Sequence, residues 1–279
     1  TANEKDTLFE TANVTTVIRM FALPAIMSSL VGSVYNIVDQ IFIGQKIGTL
    51  GNAATNVAFP LVMLMVTFSM LFGVGGSSHF SLEIGAGKPE NAAKAIGNSA
   101  FCMLVSGIAL MIAALAFLRP LMVLCGARGQ TLEYAVTYTG ITAFGIPFYI
   151  LGTATAMFIR ADGSPKYAMC ATISGAVLNT ILDPVFLFLF DMGMEGAALA
   201  TILGQILSAG IALCYLKRFR YVQLDRSCFR PCWNTIKRIV SLGRPSGLMQ
   251  ITVMLIQIVM NNTLGYYGEQ SVYGRDIPL

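Results

Sequence analysis

Charge is what this sequence has least of. Asp, Glu, Lys and Arg together make up 11% of its 279 residues, against 55% apolar, and the mean hydropathy is +0.69. Soluble domains carry roughly 25% charged residues, and a water-facing surface cannot be built from less than half that density. Most of the chain must face lipid or other buried helices. Histidine is almost absent, and His79 alone excludes most His-based metal or triad chemistry. No nucleophile with its base and no paired metal ligands are spaced for catalysis, so an enzyme is not expected. No basic stripe interleaved with aromatics runs along the chain, which argues against nucleic acid as a partner. Disulfide spacing is missing too. Cys102, Cys125, Cys170 and Cys214 sit in apolar runs, as small hydrophobic filler. Cys228 and Cys232 lack the second pair of ligands that a zinc site needs.

What the sequence does have is long apolar runs. About 20 such residues cross a bilayer core, and seven runs qualify: Met20–Ile43, Ala53–Leu82, Ala95–Leu118, Ala135–Ile159, Ala168–Phe190, Gly196–Leu216 and Gly247–Leu264. The second is expected to stop short of Leu82. The first is too long for a signal peptide. None alternates as a barrel strand does, so all seven are read as helices.

Cations are unevenly placed between the runs, and they set an orientation. With the N-terminus in the cytoplasm, the inner segments hold Lys5, Arg19, Lys88, Lys94, Arg160, Lys166 and eight cations from Lys217 to Arg244. That is 14 of 18, leaving Lys46, Arg119, Arg128 and Arg275 outside. The basic 217–244 segment also carries Phe219, Tyr221, Phe229 and Trp233. It reads as a solvated connector with some affinity for an anionic leaflet.

An internal repeat is visible. The first run opens Phe21-Ala-Leu-Pro24 and ends at Gly44, and the seventh opens Leu242-Gly-Arg-Pro245 and ends at Gly265. Both copies are offset by 221 residues, at matching positions of equally oriented spans. Parallel repeats about a membrane-normal axis are a known transporter plan. Two copies would need roughly 440 residues, so the sequence predicts a fragment whose second lobe is missing. The expected divisions are a six-helix lobe over 1–216, a linker over 217–244 and the first helix of a second lobe over 245–279.

Inside the seven runs only two residues are acidic, Asp39 and Asp183, and none is basic. A carboxylate in hydrocarbon costs several kcal/mol unless paired, protonated or hydrated, and such groups usually line ion or substrate paths. Counting back from the outer helix ends puts both roughly 8–10 Å deep. Asn179 lies one turn from Asp183 on the same face. Pro184 cannot donate to the Thr180 carbonyl. Thr201 sits about 6 residues into the sixth helix, at a similar depth. Two carboxylates, an amide, a hydroxyl and a carbonyl at one level suit Na⁺ or H⁺.

These residues carry a resemblance. Pro24, Tyr35-Asn-Ile-Val-Asp39-Gln-Ile-Phe-Ile-Gly44, Ser81-Leu-Glu-Ile-Gly85-Ala-Gly87, Arg160-Ala-Asp-Gly163, Asn179-Thr-Ile-Leu-Asp183-Pro184 and Gly193-Met-Glu-Gly196-Ala-Ala together resemble the multidrug and toxic compound extrusion (MATE) family. The resemblance implies an all-α membrane fold of twelve helices in two six-helix lobes, of which this chain supplies the first lobe plus one helix. It also implies a coupling site for Na⁺ or H⁺ at Asp39, Asn179, Asp183 and Thr201, with the Ala197 carbonyl, and helix bending at Pro24 and Pro184. The implied protein is a monomeric antiporter of the bacterial cytoplasmic membrane that exports cationic amphiphilic drugs, with no cofactor beyond the coupling ion. Some members carry a glutamate eight residues after the proline of helix seven, where this chain has Val253. Helix seven and Tyr273-Gly274 resemble the family's bacterial MepA-like branch.

Tyr35, Asn36, Phe148, Tyr149 and Met157 are candidates to line a drug pocket, since aromatic and methionine surfaces suit flat organic cations. Ordinary helix packing is their alternative. Gly73-Val-Gly-Gly76 has no Gly-Lys-Ser/Thr after it and reads as close helix packing rather than a phosphate loop. The rival transport reading is a flippase for lipid or lipid-linked oligosaccharide. It would need a cationic cavity, whereas the intramembrane charges here are acidic.

Overall fold

The computed structural model describes residues 14–273, within which every regular element is helical. In chain order these are α1 (Val14–Lys46), α2 (Thr49–Gly85), α3 (Pro89–Ala116), α4 (Leu118–Leu124), α5 (Gly129–Thr142), α6 (Ile146–Ala161), α7 (Pro165–Pro184), α8 (Met194–Cys214) and α9 (Trp233–Tyr273). Among the described residues seven spans are long and apolar enough to cross a membrane, as the sequence predicts. The fourth is built from α5 and α6, joined by a 3₁₀ turn at Ala143–Gly145 just before Pro147. Lys5, Arg275 and Gly274 lie outside the described residues.

Most helices outrun their apolar cores. α2 continues through Leu82 to Gly85, correcting the expected stop. Asn91 Nδ2 donates to Glu83 Oε2 at 3.2 Å across the corner, and Gly87 ends it in the left-handed region at φ 70°. α1 runs unbroken through Pro24, whose carbonyl accepts a hydrogen bond from Ser28 Oγ at 2.8 Å. α9 begins twelve residues before Pro245, so the basic segment already contains its first three turns.

The packing is close because the facing residues are small. α2 is central, with α3, α5, α6 and α9 around it, while α8 joins α5 and α6 to α7. The run Gly73–Gly76 serves three of these neighbours. A Cβ on Gly73 would stand 3.0 Å from Ala154 of α6, one on Gly76 2.1 Å from Ser99 Oγ of α3, and one on Gly75 2.1 Å from the Ile239 carbonyl oxygen of α9. Gly243 on α9 returns the contact, 1.9 Å from the Leu71 oxygen by the same measure. Without a strong hydrophobic drive between helices in lipid, such close backbone approach supplies the van der Waals contact that holds them.

α1 is attached differently. Pro24, Ser28, Asp39 and Ile43 are buried at helical spacing along one stripe, which packs chiefly on α7, while Leu23, Ile26, Leu30 and Ile37 are all more than half exposed. Among the cysteines, Cys125 and Cys228 are buried, but Cys170 and Cys214 are exposed on the bundle exterior, so filler is the wrong description for those two.

The 217–232 segment is docked rather than solvated. Asn98, fully buried on α3, donates to the Lys94, Cys228 and Arg230 carbonyls and accepts from the Cys232 N–H at 2.6 Å. Asp162, after α6, accepts from Tyr215 Oη at 2.7 Å and from the Arg220 N–H at 3.1 and 3.2 Å. Burial pushes the Asp162 carboxyl above the ordinary range, and these hydrogen bonds pull it back. Phe219 completes the attachment by meeting the Phe80 and Tyr215 rings edge-on.

Removing the Asn98 side chain strands the buried Cys228 carbonyl and the part-buried Arg230 and Cys232 backbone groups, at about 1–3 kcal/mol for a fully buried unsatisfied partner. Asn98→Ala is therefore expected to leave the helices folded while tryptic cleavage at Arg220 and Arg226 speeds up at least about tenfold, the ratio that 1.4 kcal/mol corresponds to. Unchanged cleavage kinetics would show that the segment is held by something else.

Candidate functional site

The one buried stripe of α1 delivers Asp39 to α7, and the site forms where α8 closes over both. Asp39 is 7% exposed, Asn179 3%, and Asp183 and Ala197 not at all. The Asp39 and Asp183 carboxyls lie within hydrogen-bonding reach of each other. Asn179 Nδ2 faces the same carboxylate. Oriented by its neighbours, the Asn179 amide donates to Asp183 Oδ2 at 3.2 Å and accepts from the Thr201 N–H at 3.2 Å. Thr201 Oγ1 donates to the Ala197 carbonyl at 2.9 Å. The residues predicted at one depth thus converge from three helices.

Glycine makes this convergence possible. Gly175 lies one turn before Asn179 and Gly204 three residues after Thr201. A Cβ on Gly204 would stand 2.7 Å from the Gly175 oxygen and 3.1 Å from Asn179 Cβ, and one on Gly175 2.6 Å from the Gly204 oxygen. The backbones of α7 and α8 therefore meet at this level, which brings a side-chain amide on one to a backbone N–H on the other. Directly after Pro184 the helix widens into a π-helical turn, Val185–Leu189. A proline that removes one N–H from the ladder is one cause of such a change.

Among the described residues, one oxygen of the acid pair lacks a donor. Asp39 Oδ1 is buried with no hydrogen-bond partner, and Gln40 is the neighbour that reaches the Asp39 carboxyl from its own helix. Two acceptors face each other, and the residues around them are Gln40, Asn179, Thr201 and tyrosines. This donor set fits a hard cation or a proton between the carboxyls: oxygen ligands, two negative charges and an orphaned acceptor.

Tyr138 on α5 is the member that sequence reasoning missed. It lies close to the Thr201 side chain and near Asp39, Asp183 and Tyr35. Gln205, one turn past Thr201, carries another buried oxygen without a partner, pressed against Gly145.

The candidate drug-pocket residues divide. Tyr35 and Tyr149 lie near each other, with Tyr35 also beside the acid pair. Tyr35 lines a groove of about 220 Å³ with Val31, Val34, Ala176 and Thr180 between α1 and α7. Asn36 points elsewhere, into a cleft of about 560 Å³ with Gln40 and Asn52, and its amide donates to the Gly32 carbonyl at 2.8 Å. Phe148 is 39% exposed. Met157 packs against Gly73 of α2.

Seven membrane-length helices among the described residues, three of which bring together a buried acid pair, define a polytopic α-helical membrane protein with an oxygen-rich intramembrane site. The MatE family model matches residues 24–185, which is 162 of the 279, and the chain belongs to the MatE family. It is 29% identical over 266 residues to the multidrug export protein MepA of Staphylococcus aureus, covering 95% of this chain and 59% of that protein. Among solved structures it superposes with a TM-score of 0.88 on the MATE multidrug transporter DinF-BH in complex with a dye, at 32% identity over 95% of this chain and 60% of that one. A MOP superfamily transporter from Pyrococcus furiosus, described as having a binding pocket of reverse polarity that suggests a different function, matches with a TM-score of 0.78 at 29% identity. It is matched over 84% of this chain and 52% of its own length. The chain thus spans about three fifths of the length of the curated relative.

Gly204→Ala forces the α7 and α8 backbones apart, an overpacking cost of about 1–3 kcal/mol. The melting temperature in detergent is expected to fall by several degrees, whereas Gly210→Ala, whose Cβ meets nothing within 4 Å, leaves it unchanged. Equal melting of the two variants would remove the glycine contact as the site's scaffold.

Proposed function

We propose that the chain is the part of a cation-coupled drug exporter that carries the coupling site, working with a second lobe of the same fold in a bacterial cytoplasmic membrane, N-terminus inside. The single observation that carries this reading is the Asp39–Asp183 contact, with Asp39 Oδ1 buried and without a donor. Such a pair is stable only when a proton or a cation neutralises it, so its occupancy follows the gradient across the membrane.

The coupling then runs through α1. Asp183, Asn179 and Thr201 are tied together on α7 and α8, whereas Asp39 sits on a helix held along one stripe. With the pair neutralised, Asp39 is drawn to Asp183 and α1 lies against α7. Once the charge is released, the carboxylates repel and α1 swings or bends at Pro24, changing the cavity beside Tyr35. Exchange of substrate for the coupling ion by rocking of two lobes is how repeat-built transporters work. Na⁺ would be held by Asp39, Asn179, Asp183 and Thr201 with the Ala197 carbonyl, and H⁺ by the two acids alone.

Organic cations are the proposed cargo, since the buried charges are acidic and tyrosines adjoin them. The relative solved with a bound dye and the multidrug export relatives support this class. The same acidity disfavours a flippase for anionic lipid-linked sugars.

Asp39→Asn and Asp183→Asn in proteoliposomes of the full-length protein are each expected to abolish efflux of a cationic dye at unchanged expression. Imposing Na⁺ and pH gradients separately identifies the coupling ion. Efflux retained by either variant refutes the acid pair as the coupling element.

A further inference from the structure

A second cleft, of about 570 Å³, opens at the end of the bundle opposite the Lys46–Asp191 ion pair. Its walls come from α1 (Met20), the turn and start of α7 (Gly163 to Tyr167, with Cys170) and the end of the sixth span (Tyr215, Arg218, Arg220). Three cations line it: Lys166, Arg218 and Arg220, all exposed, and among the described residues none of them forms an ion pair. At the other end the pattern is reversed. Lys46 is paired with Asp191 at 2.5 Å and Arg119 with Glu133.

The acid beside the cleft is already occupied. Asp162 takes Tyr215 Oη and the Arg220 N–H, and Tyr215 Oη also reaches Ser164 Oγ at 2.8 Å. Arg220 feels the Asp162 charge but donates its backbone, not its guanidinium, to it. The polar floor is therefore satisfied internally, and the cations are left to face outward.

The remaining lining is apolar: Met20, Pro165, the Tyr167 ring and the exposed Cys170, which lies on the surface of a membrane span. A free inorganic anion would use the cations and leave this wall in water. An amphiphile with an anionic head would use both. The cleft also lies where two spans, Pro165–Leu189 and Met194–Arg218, reach the membrane boundary. Basic pockets between transmembrane helices at this level suit phosphate head groups.

We infer that this cleft binds the head group of an anionic phospholipid from the adjacent leaflet, with Lys166, Arg218 and Arg220 on the phosphate and Met20, Tyr167 and Cys170 against the glycerol and upper acyl chain. The inference rests on the membrane reading and not on drug export. Because Tyr215 and Asp162 tie the same wall to the 217–232 segment, an occupied cleft also fixes that segment to the sixth span.

The test uses the purified chain in detergent, with bound lipid counted by native mass spectrometry as phosphatidylglycerol or phosphatidylcholine is titrated in. The parent is expected to retain phosphatidylglycerol and not phosphatidylcholine. At about 1 kcal/mol per cation, Lys166→Gln and Arg218→Gln should each weaken retention about fivefold. Lys166→Gln/Arg218→Gln/Arg220→Gln together should weaken it about a hundredfold. Lys88→Gln/Lys94→Gln/Lys237→Gln, with equal charge removed at the same end, should leave it unchanged. Retention that survives the cleft variants, or falls equally in the control, overturns the site. Displacement of the lipid by millimolar inorganic phosphate overturns the lipid as its ligand. The single variants decide the matter should the triple variant fail to fold.

Discussion

Two carboxyl groups in contact, away from water and, among the described residues, without an ammonium or guanidinium beside them, constrain everything around them. In the proposed coupling role, the charge that stabilises them arrives from outside the protein and leaves again. The surrounding helices answer that constraint in two different ways. Asp183 is held: Asn179 bonds it, the Asn179 oxygen takes the Thr201 N–H, and Gly175 and Gly204 let the two helices touch. Asp39 is not held to the same degree. It has one orphaned oxygen and sits on a helix that contacts the bundle along a single stripe. In the proposed mechanism, a rigid acid facing a less firmly held one turns a change in ionisation into a displacement.

That asymmetry depends on side-chain size more than on polarity. Where α7 meets α8, and where α2 meets α9, the chain uses glycine against backbone carbonyl, with would-be Cβ distances between 1.9 and 2.7 Å. α1 has no comparable contact: Gly32 has nothing within 4 Å and Gly44 meets only the Asn52 side chain. Close backbone approach is the main source of helix adhesion in lipid. A helix without it is the one that a modest amount of electrostatic work can move. Pro24 is buried in the stripe of an unbroken helix, and in the proposed mechanism it is where that helix bends.

The sequence made the spans and the two acids legible for one physical reason. In a nearly charge-free chain each apolar run and each buried Asp stands out against its background. Asn179 and Thr201 followed from helical spacing and depth. Other features obeyed no periodicity. Asn98 looks like one more polar residue near the start of α3, yet it anchors the backbone of Cys228, Arg230 and Cys232, 130 to 134 residues away. Nothing local announces that pairing. The 217–232 segment reads as solvated because its composition is basic, but its backbone is what docks, and composition is blind to backbone hydrogen bonds. Tyr138 was hidden for the opposite reason: a tyrosine in a span is read first as packing, and only its neighbours from α1, α7 and α8 reveal its place beside the acids. Met157 was grouped with the aromatics by chemistry alone, while its position on α6 turns it toward α2.

The repeat gains physical meaning from where α9 sits. Pro24 lies ten residues into α1 and Pro245 twelve into α9, so the two helices are alike in sequence position as well as in offset. Their surroundings differ. α9 is clamped to α2 through Gly75 and Gly243, and its first turns continue from a segment fixed by Asn98. α1 leans chiefly on α7. If both copies of the repeat moved alike, the bundle would have no fixed reference against which an acid pair could do work. Anchoring one copy of the proline-bearing helix and loosening the other supplies that reference, and it puts the loose copy where the ionisable residue is. The absence of an acid at Val253 fits the same division: the clamped helix carries the frame, and the free helix carries the charge.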